Sequence, residues 1–354
     1  MTTPQPSGCS CSQGAQVSPC SCSTETRHPG VIRTTDSTLT FANRLDHFLA
    51  RWGINRMGHR VEPGLYRIGN PTAESPVFAS ANYTLSFDAL RSALAGYDAY
   101  ILVLDTKGIN VWCAAGKGTF GTGELVNRIE NAGLAGIVTH RKIIVPQLGA
   151  PGISAHEVQR RSGFKVEYGP VRARDLPEYL RTGKATSEMR RVEFPVRDRI
   201  VLAPVELVHV ALPTVIIAAA LWFLASPVAA LAAISAVVAG TVLFPALLPF
   251  IPTKDFSTKG LLLGGVMAIP FAAAFASAPA LPFWALLAAA LTPLLIMPAV
   301  TAYLALNFTG STTFTSRTGV RTEIFRYISV MAVMAVTGII LGIVLGVSRL
   351  MGVI

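Results

Sequence analysis

Two hydrophobic patterns divide the chain of 354 residues at about residue 200. Before that point, short apolar runs alternate with segments whose apolar residues recur every three or four positions. After it, long apolar stretches follow one another with few charged residues. Short apolar runs predict buried strands, helical spacing predicts amphipathic helices, and stretches of about 20 apolar residues predict membrane-spanning helices. The pattern therefore predicts a soluble part followed by a membrane part.

The first part alternates strand and helix patterns. Strands are predicted at residues 76–79, 100–105, 136–140, 143–146 and 164–168, and helices at 39–58, 86–94, 124–133, 154–161 and 175–180. Alternation of this kind is typical of a parallel sheet with helices on both faces. We therefore expect an α/β doubly wound (Rossmann-like) domain over residues 38–200.

Residues 201–354 predict an all-α transmembrane domain of five helices. The apolar spans are 204–224, 228–250, 260–279, 282–307 and 326–348. Lysine and arginine lie in or beside the second and fourth breaks between spans, at Lys254, Lys259, Arg317, Arg321 and Arg326, and the first and third breaks carry none. Because positive residues stay on the cytoplasmic side, the α/β domain is expected in the cytoplasm and the C-terminus outside the inner membrane.

Charge adds to this interpretation. The net charge is +10, and many basic residues precede the first span: Arg172, Arg174, Arg181, Lys184, Arg190, Arg191, Arg197 and Arg199. Membrane topology explains this cluster better than nucleic-acid binding does, so no nucleic-acid partner is expected. Inside the predicted spans, Glu206 and His209 are the ionisable residues, and both lie near the start of the first. That composition favours an anchor over a transport pathway.

Residues 1–37 predict a disordered tail. They are rich in Ser, Thr, Pro and Gln, and they lack the apolar core of a signal peptide. Four cysteines stand there as two Cys-x-Cys pairs, at Cys9, Cys11, Cys20 and Cys22. Such pairs could hold a soft metal ion or cycle between thiol and disulfide. Their spacing matches no zinc or iron–sulfur motif, so we expect these cysteines to be dispensable.

Cys113 is the one cysteine outside the tail, and it follows the predicted strand at 100–105. It could be an inert buried thiol, or a nucleophile with His140 as its base. The glycines of residues 116–121 fit the dinucleotide string Gly-x-Gly-x-x-Gly, but they begin ten residues after Asp105. Gly118 also stands where a phosphate loop needs Ser or Thr. Spacing alone favours the inert thiol.

A resemblance changes that balance. Residues 110–117 (Asn-Val-Trp-Cys-Ala-Ala-Gly-Lys) resemble the cap-helix signature of the mercury-methylating corrinoid proteins, membrane-bound methyltransferases related to the corrinoid iron–sulfur protein of the acetyl-CoA pathway. The chain differs from the family pattern at Ser80, where Thr is expected. The resemblance runs from about residue 40 to the end, including residues 63–66, 81–83, 104–108, 139–141, 146–150, 168–173 and 307–312.

The resemblance implies a cobalamin or related corrinoid, bound base-off with the Cys113 thiolate as the lower axial cobalt ligand. Cys113 is then the catalytic residue, and Ala114, Ala115 and Gly116 let the helix approach the corrin ring. Lys117 and the helix N-terminus near Asn110 would favour the thiolate. The implied cofactor-binding residues are Ser80, Thr106, Asn110, Val111, Trp112, Cys113, Ala114, Ala115, Gly116, Lys117, Thr139 and His140.

The function implied by the resemblance is transfer of a carbanion-like methyl group from methyl-cobalt(III) to Hg(II), which forms methylmercury in anaerobic metabolism. The implied partners are a ferredoxin-like protein with two [4Fe-4S] clusters, as reductant, and a methyltetrahydrofolate-type methyl donor. Two alternatives stay open. One is a corrinoid methyl carrier of the acetyl-CoA-pathway type with another acceptor, and the other is a membrane sensor or transporter with a cytosolic ligand domain.

Overall fold

A computed structural model of the chain describes residues 31–277, 281–311 and 317–353. The tail cysteines lie outside these ranges. The described part of the chain begins with a six-stranded α/β unit and continues into long apolar helices. The strands are β1 (Arg33–Thr35), β2 (Gly64–Ile68), β3 (Val77–Ala81), β4 (Ala99–Leu104), β5 (Lys142–Val145) and β6 (Lys165–Tyr168).

The sheet is mixed, in the order β1-β2-β4-β3-β5-β6. Strands β3 to β6 run parallel, whereas β2 pairs antiparallel with β4, and β1 runs parallel to β2. The prediction of a parallel sheet is therefore wrong for β1 and β2, the two strands at one side of the sheet. The chain passes from β2 to β3 through residues 69–76 without a helix, and a parallel crossover would require a longer connection.

Helices cover both faces of the sheet. One core contains residues from α3, α4 and α6, and the other contains residues from α2 and α7. The helices of this part are α1 (Phe41–Arg51), α2 (Thr84–Ala93), α3 (Val111–Lys117), α4 (Thr122–Asn131), α5 (Leu134–Ile137), α6 (Ala155–Ser162), α7 (Leu176–Thr182) and α8 (Ser187–Arg190). Two buried faces explain why β4, which is fully buried along its length, is a continuous apolar run.

The structure corrects two local predictions. Residues 136–140, expected as a strand, form the end of α5 and a turn. Helix α5 begins after Gly133, which caps it in a left-handed conformation with φ 61°. Strands β1 and β2 were not predicted, and β1 lies within residues 31–37, which were expected to end a disordered tail but pair with β2. Strand β2 begins at Gly64, directly after the proline of a Pro-Gly pair that indicates a turn.

Five helices in the described ranges are long and apolar enough to cross a membrane, as predicted. They cover Val196–Leu224, Pro227–Leu247, Phe256–Ala276, Phe283–Gly310 and Thr318–Leu350. Their elements are α9 (Val196–Ile200), α10 (Ala203–Leu224), α11 (Pro227–Val238), α12 (Phe244–Leu247), α13 (Phe256–Ala276), α14 (Phe283–Asn307) and α15 (Arg317–Leu350), with a π-helical segment at Ala239–Leu243. Their orientation across the bilayer stays a prediction.

Helices α13 and α15 begin before the predicted spans 260–279 and 326–348, so they include charged residues that the prediction left in the loops. Lys259 lies in α13 and donates to the carbonyl oxygens of Leu248 and Ile251. Glu323 lies in α15 and accepts hydrogen bonds from the backbone and the hydroxyl of Ser257. Each buried charge has polar partners near a helix end, as a charge in an apolar domain requires.

Candidate functional site

The turn between β4 and α3 is organised by Asn82, which follows β3. Its Oδ1 accepts hydrogen bonds from the backbone N–H of Thr106 at 3.0 Å and of Gly108 at 2.9 Å, and lies 2.8 Å from the Thr106 hydroxyl. Its Nδ2 donates to Asp105 at 3.2 Å. Asn82 is 3 % exposed and Thr106 is fully buried. Thr106, a predicted cofactor-binding residue, therefore stabilises the turn that connects β4 to α3.

Asn82 was not among the predicted site residues, although it stands in a segment that carries the resemblance. We expect Asn82→Ala to lower the free energy of unfolding of the α/β part by about 3 kcal/mol, because it leaves buried donors without an acceptor. The exposed Asn127 of α4 supplies the control, since Asn127→Ala should cost less than about 0.5 kcal/mol. Hydrogen exchange of the β4 and α3 amides in the full-length protein measures both, and equal exchange in the two variants would contradict this role.

Helix α3 begins and ends at well-defined caps. The Asn110 side chain accepts a hydrogen bond from the backbone N–H of Cys113 at 2.9 Å, and Gly118 ends the helix in the left-handed region, at φ 85°. Asparagine at the first cap and glycine at the last are the residues that these positions favour. The predicted signature 110–117 is thus a single short helix with its cap.

The residues of α3 divide between two faces. Ala114 and Ala115 are buried in the core of the α/β unit. Cys113 is half-buried, and Gly116 and Lys117, three and four positions later, are exposed. A Cβ added to Gly116 would meet no atom within 4 Å. Ala114 and Ala115 therefore pack in the core, and the exposed side of the helix consists of Cys113, Gly116 and Lys117. That the small residues let α3 approach a corrin ring stays a prediction.

A cavity of about 360 Å³ lies over the carboxyl ends of β3, β5 and β6 and extends between α2 and α3. Its lining is mostly apolar and includes four predicted residues, Ser80, Asn110, Val111 and Trp112. Tyr83 also lines it, and burial raises the pKa of its phenol above the ordinary value. Pockets of this size and position are typical of ligand sites in α/β folds. Cys113 is not among the lining residues, although its charge acts on the phenol of Tyr83, which is one of them.

The charge state of Cys113 depends on opposing effects. Burial raises the pKa of the thiol above its ordinary value, and it outweighs the positive charges of Lys117 and Arg56 and the hydrogen bond to Asn110, which act to lower that pKa. Lys117 and Asn110 thus lower the pKa of the thiol, as expected from the sequence, but by less than burial raises it. At neutral pH, the unligated Cys113 is a thiol rather than a thiolate.

Thr139 and His140 lie at the amino ends of the parallel strands, whereas Cys113 lies beyond their carboxyl ends. They precede the first residue of β5, whereas α3 follows the carboxyl end of β4, and both strands run in the same direction. The Thr139 backbone N–H donates to the Ala73 carbonyl at 3.0 Å, and the His140 Nε2 donates to the Ser75 carbonyl at 2.9 Å. The structure therefore does not bring these two residues together with the other ten.

Comparison with known proteins finds similarity in the α/β part of the chain. Residues 54–180 match the family model described as CO dehydrogenase/acetyl-CoA synthase delta subunit. This chain is similar to the acetyl-CoA decarbonylase/synthase complex subunit gamma of Methanopyrus kandleri, with 37% identity over 128 residues, which cover 35% of this chain and 27% of that protein. The corresponding subunit of Archaeoglobus fulgidus is 32% identical over 114 residues, covering 32% and 24%.

The chain therefore spans about a quarter of the length of the curated relatives it matches. The matched family region ends before the first apolar helix begins at Val196. It includes Asn82, α3 and all of the cavity lining. The α/β part is thus similar to components of the acetyl-CoA decarbonylase/synthase complex.

Proposed function

We propose that this protein is a membrane-anchored corrinoid protein that transfers a methyl group to Hg(II) and so forms methylmercury. The observation that carries the proposal is the exposed side of α3, where the half-buried Cys113 precedes Gly116 by three positions and a Cβ added to Gly116 would meet no atom within 4 Å. Residues 38–200 would hold the cofactor, and residues 201–354 would anchor it. The related acetyl-CoA decarbonylase/synthase subunits support methyl transfer in this fold.

The residues present fit a corrinoid. The apolar cavity of about 360 Å³ is too small for the corrin ring. It suits the cofactor's nucleotide tail, whose base does not bind cobalt in the base-off form. The flat ring requires a surface without projecting side chains, and Gly116 provides one. Cys113 does not line this cavity, so the tail and the cysteine ligand would not compete for one space.

A bound corrinoid would supply a cobalt-bound methyl group together with its bonding electron pair, which is the polarity that the electrophile Hg(II) requires. The chain's own residues would have separate tasks. The Cys113 sulfur would hold the metal and donate electron density to it, as a cysteine ligand does in haem proteins. Asn110 fixes the first turn of α3, so that the thiol keeps its position. Ser80, Trp112 and Tyr83 would hold the tail in the cavity.

The proposal includes two partners that the resemblance implies. A ferredoxin-like protein with two [4Fe-4S] clusters would serve as reductant, and a methyltetrahydrofolate-type system would supply methyl groups. Lys117 and Gly116 are exposed beside Cys113, so this side of α3 is open to a docking protein. Hg(II) is the substrate and comes from outside the chain.

The proposal predicts that thiolate ligation strengthens as the pH rises. Because burial raises the pKa of the Cys113 thiol, cobalt must displace a proton, and each pH unit below that pKa should weaken ligation about tenfold. Visible spectra of the full-length protein with added cobalamin measure this, since base-off thiolate ligation has its own absorption. Cys113→Ala should bind through the tail alone and show no such pH dependence. Failure to bind any cobalamin would contradict the proposal.

A second candidate is a corrinoid methyl carrier with another acceptor, which the relation to acetyl-CoA decarbonylase/synthase subunits favours. It predicts the same spectra. The two candidates differ in the product: methylmercury forms from Hg(II) under the first, whereas the second leaves Hg(II) unmethylated while the cofactor is methylated and bound.

A further inference from the structure

Helix α1 carries an apolar face that points away from the α/β unit. Phe41, Leu45 and Phe48 recur at the helical spacing and are 81%, 46% and 54% exposed. None of the residues of α1 is buried. The loop that follows continues the surface with Ile54 and Met57, which are also exposed. Five large apolar side chains therefore form one outward surface, which we name the α1 face.

The polar side of the same helix points inward. Asp46 accepts hydrogen bonds from the buried His59 at 2.7 Å and from the Thr84 hydroxyl at 2.7 Å. His47 contacts Asp88 at 2.7 Å, and Asp88 is buried in the middle of α2. Ion pairs and hydrogen bonds thus hold the polar side against the domain. An amphipathic helix in a soluble protein has the reverse orientation, with its apolar side against the core.

The loop after α1 lies against the first apolar helix. A Cβ added to Gly53 would stand 2.9 Å from Cγ2 of Val205, which lies in α10 near its first residue. Helix α10 belongs to the first of the five helices able to cross a membrane. The α1 face is therefore beside the point where that helix would leave the bilayer. Arg44, Arg51 and Arg56 are exposed on α1 and its loop, at the edge of this surface.

From these contacts we infer that the α1 face lies in the headgroup region of the same membrane that the five helices cross. The occupant is a lipid surface that carries negative charge. Its acyl chains receive Phe41, Leu45 and Phe48, and its phosphates face the arginines. A helix of this composition next to a membrane-spanning helix has the charge and the apolar area that interfacial helices use.

The consequence concerns the position of the candidate site. Arg56 belongs to this loop, and its charge acts on the Cys113 thiol. His59 joins the loop to α1, because its ring contacts Asp46 and the carbonyl oxygen of Ile54, each at 2.7 Å. The α1 face therefore holds the open side of α3 at the membrane surface rather than at a distance from it. This inference does not depend on which ligand Cys113 binds.

Depth measurements on the full-length protein test the inference. A nitroxide label is placed at Phe48→Cys, in a chain whose native cysteines are changed to serine, and the protein is put in nanodiscs of phosphatidylcholine and phosphatidylglycerol. The control label is at Asn131→Cys, an exposed helical position in α4. We expect the Phe48 label to collide with lipid-soluble oxygen and to be shielded from a water-soluble nickel chelate. The Asn131 label should show the opposite preference.

Other results would overturn the inference. Nickel access at position 48 equal to that at position 131 would mean that the face is in water and available to another protein. Shielding from both reagents would mean that the chain itself covers the face. A second measurement avoids the label: in the native sequence, Phe41→Ser, Leu45→Ser and Phe48→Ser together should speed hydrogen exchange of α1 severalfold in nanodiscs. Unchanged exchange of α1 would also overturn the inference.

Discussion

Replacing Cys113 by alanine should abolish methylmercury formation while the protein still folds and inserts into the membrane. The Cys113 side chain is half-buried and belongs to neither core of the α/β unit. The substitution should therefore lower the free energy of unfolding by about 1 kcal/mol or less. Methyl transfer to an electrophile depends on electron donation to the metal, and alanine cannot donate. The activity should fall by orders of magnitude. Methylmercury from anaerobic membranes supplied with Hg(II) and the reductant measures the result.

Ser162→Ala is the matched control for this variant. Ser162 is also half-buried at the end of a helix of the same α/β unit, and the change removes one heavy atom of similar size. It should leave methylation near the wild-type rate. Undiminished methylation by Cys113→Ala would remove the ligand assignment. Equal losses in both variants would show that the effect comes from folding.

How far the sequence predicts this site depends on the residue. Cys113 and Gly116 were predicted through their resemblance to a known signature, and the structure adds that they share an open face. Ala114 and Ala115 belong to the same signature, yet packing against the sheet explains their size. A one-dimensional motif cannot separate residues that face a ligand from residues that let the helix lie close to the core, because both require small side chains.

Long-range pairing explains the other differences. His140 was a candidate base for Cys113 because it ends the predicted strand 136–140. Those residues form no strand, and His140 instead precedes the amino end of β5, whereas α3 follows the carboxyl end of β4. Asn82 serves the site only because β3 lies beside β4, so that its amide reaches the next turn. The antiparallel β2 likewise depends on its pairing with β4. The apolar helices were predicted well, since each span is determined by its own composition.

The open face of α3 leads to a prediction with a close control. Gly116→Leu should block the corrin ring, because a side chain would project where no protein atom lies within 4 Å. Overpacking of this kind costs about 1–3 kcal/mol, so cobalamin affinity should fall about tenfold or more. Gly123 of α4 is also an exposed helical glycine with no atom within 4 Å of an added Cβ. Gly123→Leu should therefore leave the affinity unchanged.

Both substitutions should raise the helical stability by roughly 1 kcal/mol, because leucine favours a helix more than glycine does. A loss of affinity in Gly116→Leu therefore cannot come from a weaker fold, and thermal unfolding of the two variants checks this directly. Equal affinity in Gly116→Leu and Gly123→Leu, measured by cobalamin titration, would mean that the ring does not lie on this face. If the thiolate spectrum persisted in that case, the ring would have to lie beside α3, with Cys113 binding cobalt there, rather than over Gly116.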